Sequence, residues 1–235
     1  MEPVRPNPMY ADIALPREGE LAPQQQKVLR NTYLLLALTM VPTVVGAWLG
    51  MATASVIMSF PILSFFVMLA AVIGLQFGIS HYRNSAIGIG LLLLMTGLLG
   101  WFLGPLLNAA LALKNGAQLV GYAAAGTGAV FLGMAAIATA TKRDFSFMGK
   151  FLFVGMIVLL VAMIANVFLQ IPALALTISS LAIVVFSLYL LHDLSRIVTG
   201  GETNYVIAAT GVYLSLFNIF ANLLQLLMAF IGERE

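Results

Sequence analysis

The sequence predicts an all-α fold, a polytopic membrane bundle of seven transmembrane helices. Three observations carry that prediction. The 235 residues are 61% apolar and only 9% charged, with a mean hydropathy of +1.02, far from the balance of a soluble domain. The apolar residues fall in seven runs, each long enough to cross roughly 30 Å of hydrocarbon at about 1.5 Å per residue. The runs also lack the two-residue alternation over about ten residues that marks a membrane barrel strand. In hydrocarbon every backbone N–H and C=O needs an internal partner, so helices remain.

Residues 1–30 read as a disordered cytoplasmic tail and residues 31–235 as the transmembrane domain. The tail holds Pro3, Pro6, Pro8, Pro16 and Pro23 among charges, then Gln24, Gln25 and Gln26. It has too little apolar surface to offset the entropy of folding, and it lacks the apolar core of a cleavable signal. The spans follow at 32–51, 54–80, 86–112, 119–141, 147–169, 173–198 and 205–231. The first carries Gly46 and Gly50, the third Gly100 and Gly104, and the fourth Gly121, Ala125 and Ala129, each set spaced by four on one face. Membrane helices gain little by burying apolar surface against one another, and such small-residue faces let their backbones approach. Pro42, Pro61 and Pro105 each remove a backbone donor inside a span and predict kinks.

The fifth span ends near Asn166 and Gln170. The sixth contains Asp193, and the Gly200–Gly201 pair after it reads as a helix-ending turn. On the seventh, Ser215, Asn218, Asn222 and Gln225 follow steps of three, four and three and form one polar stripe. That stripe either joins helices by hydrogen bonds or lines a cavity whose acidic member is Asp193, and Asn166 and Gln170 are placed to extend it.

Cationic loops stay on the cytoplasmic side during insertion. Arg5, Arg17, Lys27 and Arg30 precede the first span, Arg83 follows the second, Lys142, Arg143 and Lys150 flank the fourth and fifth, and Arg196 ends the sixth. Only Lys114 and Arg234 fall on the other side. The N-terminus is therefore expected inside and the C-terminus outside, with Asp193 and Arg196 at the cytoplasmic mouth.

Eight of the nine acidic residues lie in tails or loops, and Asp193 alone lies within a span. A carboxylate costs roughly 2.5–3.5 kcal/mol near the bilayer centre and less toward an interface, so Asp193 asks for a reason. One is an ion pair with Arg196, one turn on; the other is function. His192 beside it is the residue type whose charge changes near neutral pH, a candidate modulator. Neighbours on a helix point about 100° apart, so direct contact between the two is not expected.

With no cysteine, disulfides, thiol catalysis, palmitoylation and thiolate metal sites are excluded. His81 and His192 lie on different spans with no ligands clustered around them, so no metal site is expected. One aspartate cannot form a protease dyad, and no nucleophile–base pair or phosphate-cradling glycine loop is present. The chain is expected to be no enzyme, to hold no cofactor and to bind no nucleic acid.

Three stretches resemble the bacterial branch of the Bax inhibitor-1 family, also called the transmembrane BAX inhibitor motif family. They are Lys27-Val-Leu-Arg-Asn-Thr-Tyr33, Gly100-Trp-Phe-Leu-Gly-Pro-Leu-Leu107 around Pro105, and Gly200-Gly-Glu-Thr-Asn-Tyr205 leading into Tyr213-Leu-Ser-Leu-Phe-Asn-Ile-Phe220. The last closely resembles the subgroup of modulators of the membrane protease FtsH, and the likeness runs from about Lys27 to Leu227. It implies six helices around a central seventh. It also implies an inner-membrane regulator that binds FtsH or its associated proteins and restrains degradation of membrane proteins. The alternative it carries is a pH-sensitive leak for calcium or protons, in which an acid of span six pairs with one of span seven. Asp193 matches the first acid; the second position falls at Ser215, and span two has no arginine to act as the basic partner. Asp193 is then expected to bond to the Ser215 hydroxyl or to pair with Arg196.

Overall fold

The structure, a computed structural model, describes residues 21–233. Its helices are α1 Pro23–Ala52, α2 Ala54–Ser59, α3 Pro61–His81, α4 Ala86–Leu111, α5 Gly116–Thr141, α6 Gly149–Leu169, α7 Pro172–Thr199 and α8 Tyr205–Ile231, with a 3-10 turn at Ser146–Met148 before α6. All but the six-residue α2 are long and apolar enough to cross a membrane, which gives the seven expected spans.

Two boundaries differ from the sequence reading. α1 begins at Pro23, so residues 23–30 are helical where a tail was expected; residues 1–20 lie outside the described part. Pro23 occupies the first helical position, where its missing N–H is no loss, and the Gln25 side chain accepts from the Ala22 N–H at 2.9 Å. The second span is not one kinked helix. Proline disfavours helical backbone in the residue before it, so Phe60 leaves the helix (φ −138°, ψ 67°) and Pro61 starts α3. Pro42 and Pro105 do lie inside α1 and α4.

α1 and α4 meet backbone to backbone. A Cβ added at Gly46 would collide with the Gly97 carbonyl, at Gly50 with that of Trp101, at Gly100 with that of Thr43, and at Gly104 with the Gly50 backbone. Nearby, the Trp101 indole donates to Thr53 Oγ1 at 2.7 Å, and the Asn108 amide donates to the Met51 carbonyl at 2.9 Å. The small residues of α5 behave oppositely. Gly121, Ala125 and Ala129 are exposed, whereas Leu119, Ala123 and Thr127 turn inward. Small residues spaced by four permit close packing, but they do not choose between faces that are each rich in alanine and glycine.

α8 is the central helix. It packs against α1, α3, α4, α5 and α7, while α6 lies outside, against α7. Tyr213, Val212 and Ile219 of α8 are buried among Leu92 and Met95 of α4 and Leu190 and Leu194 of α7. At the end opposite Asp193 the Asn115 amide donates to the Ile231 carbonyl at 2.9 Å, and the Lys114 N–H donates to the Glu233 carbonyl at 3.1 Å. These bonds fix the end of α8 to the α4–α5 loop.

Candidate functional site

Asp193 lies two turns from the end of α7, where the helix is stopped by Gly200 in left-handed backbone (φ 82°). That turn sends the chain back so that the Glu202 N–H donates to the Arg196 carbonyl at 2.9 Å. Asn204 then caps α8, its side-chain oxygen accepting from the N–H groups of Val206 (3.0 Å) and Ile207 (3.1 Å). Its amide donates to the Arg83 carbonyl at 3.0 Å and to Asn84 Oδ1 at 2.8 Å, which ties the linker to the α3–α4 turn.

These elements enclose a cavity of about 160 Å³ lined by Gln76 and Ser80 of α3, Asp193 and Arg196 of α7, Glu202 of the linker, and the first turns of α8. Within it the expected pairing is exchanged. Arg196 turns to Glu202 Oε2 at 3.4 Å and to the Gly201 carbonyl at 3.3 Å, not to Asp193. The left-handed turn explains this, because it delivers the Glu202 carboxylate to the guanidinium. Asp193 Oδ1 instead lies 3.1 Å from His192 Nδ1. The two partly buried side chains meet although they are neighbours on the helix, contrary to the expectation from the step of about 100°.

Nor does Ser215 face Asp193. The residue opposite is Gly211, one turn earlier, where a Cβ would stand 2.5 Å from Asp193 Oδ2. Ser215 is buried further along α8. The rest of the stripe also stays out of this cavity. The Asn218 amide donates to the Leu214 carbonyl and the Asn222 amide to that of Asn218, both at 2.8 Å, so each closes on its own helix. Gln225 joins another helix, its Oε1 accepting from Ser179 Oγ at 3.1 Å. Asn166 accepts from the Ile171 N–H at 3.0 Å, and with Gln170 it lines a separate pocket beside Pro61 and Phe65. A polar side chain in hydrocarbon satisfies itself with the nearest carbonyl, and for four-residue spacing that carbonyl lies on its own helix.

A strap closes the site from the α5–α6 side. The Phe145 N–H donates to Ser195 Oγ at 3.4 Å, and His192 Nε2 packs against Gly149, where a Cβ would stand 3.1 Å away. Within the strap Asp144 Oδ1 accepts from the Ser146 N–H at 2.8 Å. Bonds from the Ser146 side chain and amide hold the Asp144 carboxyl below its ordinary value.

Sequence reasoning missed Gln76, Ser80, Gly211 and Glu202. Gln76 and Ser80 carried a signal, being polar and one turn apart at the end of an apolar span. Glu202 stood in the Gly200–Tyr205 stretch of the family resemblance without a sign of its place, and Gly211 carried no signal, because only the turn at Gly200 and the α7–α8 register bring them to this cavity. No group of three or more His, Asp or Glu among the described residues is arranged to hold a metal ion.

Fold and site together define a multi-pass helical membrane protein with a central last helix and an acid-bearing cavity at an end of the bundle. A family model described as inhibitor of apoptosis-promoting Bax1 matches residues 25–232, and the chain belongs to that Bax inhibitor-1 family. Among its relatives are a membrane protein of Vibrio cholerae, 42% identical over 204 residues (87% of this chain and 90% of the relative), and the modulator of FtsH protease YccA of Escherichia coli K12, 41% identical over 201 residues (86% and 89%). The inner membrane protein YccA of Escherichia coli O6:H1 matches to the same extent.

Proposed function

We propose that the chain is a multi-pass inner-membrane regulator that binds the membrane protease FtsH, or proteins associated with it, and restrains degradation of membrane proteins. One observation carries the reading: similarity to the modulator of FtsH protease extends over 86% of the chain at 41% identity. In this reading the N-terminus is cytoplasmic and the C-terminus periplasmic, and residues 1–20 form a cytoplasmic tail that a processive protease grasps. Raising the level of the protein should lengthen the half-life of an FtsH-degraded membrane protein in a pulse-chase; an unaltered half-life would count against restraint. Deleting residues 2–20 should lengthen the half-life of the protein itself, and an unchanged one would remove the tail from the account.

A second reading, a cation or proton leak, has the cavity in its favour, because two carboxylates, Asp193 and Glu202, line it. Its test is flux into liposomes containing the purified protein. The leak predicts pH-dependent flux that falls in Asp193→Asn, and the regulator predicts none from either form.

A further inference from the structure

Between α1 and α5, which each pack on α4 and α8, lies an apolar groove of about 600 Å³. Ala47 and Trp48 of α1 form one wall, Val120 and Ala124 of α5 the other, and Leu107 and Phe217 lie in the floor. The groove occupies the half of the bundle away from Asp193, since its lining comes from the second halves of α1 and α4 and the first half of α5. It cannot close by moving α1, which is held to α4 at Gly46 and Gly50 and to α8 by the Thr43–Tyr213 hydroxyl contact at 2.8 Å. The small side chains of Ala47 and Ala124 supply its depth.

An apolar void of this size forfeits the dispersion contacts of every atom lining it, so an occupant is favoured. The medium at this depth is hydrocarbon. A single file of methylenes fits. The floor asks for no polar ligand group. The Tyr213 hydroxyl is shared between Thr43 and the Thr96 carbonyl at 3.3 Å, and the Thr43 hydroxyl donates to the Thr39 carbonyl at 2.7 Å. At the membrane end nearest the groove Lys114, exposed in the α4–α5 loop, is the one Lys or Arg among the described residues, and it complements a phosphate.

We infer that this groove is a resident site for one acyl chain of a membrane phospholipid whose phosphate lies at the Lys114 end. Native mass spectrometry of the full chain released from its membrane in mild detergent tests this. Wild type should retain one phospholipid per protein. So should Leu132→Phe, whose side chain faces lipid from α5 outside the groove. Ala124→Phe, which fills the groove, should lose it. If Ala124→Phe lacks the wild-type helical circular dichroism, Val120→Phe from the same wall takes its place. Equal retention by wild type and the filled variant overturns the proposal, as does a wild-type adduct with the mass of detergent or of a free fatty acid.

Discussion

Asp193 shows how a single residue escapes prediction from its neighbours. Its position within a span marked it as unusual, yet its partner is His192 and not Arg196, and the surface opposite is Gly211 and not Ser215. Contacts across two helices depend on their register to within one turn, which composition and periodicity leave open. Gly211→Ala should push its methyl into the Asp193 carboxylate and displace it, and because a side-chain tip gives way the cost should fall at the low end of the roughly 1–3 kcal/mol of overpacking. Gly74→Ala, into open space on α3, should be neutral or slightly stabilising because alanine is the better helix former. Thermal unfolding in one detergent compares the two, and equal losses would remove Asp193 from its place against Gly211.

Asp144 offers a second test at this scale. Because its folded carboxyl is lowered by Ser146, what it contributes to the strap is present above its unfolded value and lost as pH falls through the lowered one. Its NMR titration midpoint should lie below the ordinary aspartate value and rise toward it in Ser146→Ala; a midpoint that ignores the substitution would contradict the assignment.

At the scale of elements the sequence was most informative where backbone contact needs a particular residue. Gly46, Gly50, Gly100 and Gly104 stood out by spacing, and they lie in the α1–α4 contact. The same spacing on α5 was silent about direction, and Gly121 lies in open space. Gly104→Val should therefore cost on the order of 1–3 kcal/mol or more, since backbone cannot yield as a side chain tip does, whereas Gly121→Val should be tolerated. Chemical unfolding in matched detergent would show it, and equal sensitivity would refute the packing of α1 on α4. Proline was half legible. Pro61 ended a helix instead of bending one, because the residue before it is released from helical backbone.

At the scale of the whole molecule, seven runs of apolar residues translate into seven spans because lipid admits no other way to satisfy the backbone. The central place of α8 followed from the family resemblance, and its contacts with α1, α3, α4, α5 and α7 show it. The cavity at Asp193 was less legible. Four elements build it, α3, α7, the linker and the start of α8, and their meeting depends on the turn at Gly200 and the cap at Asn204. Whether this bundle regulates a protease in its own membrane can be decided by isolating the full-length protein from native membranes in mild detergent and identifying by mass spectrometry what remains bound. FtsH or its associated proteins should be recovered above an unrelated membrane-protein control, and a preparation free of them would contradict the proposed regulation.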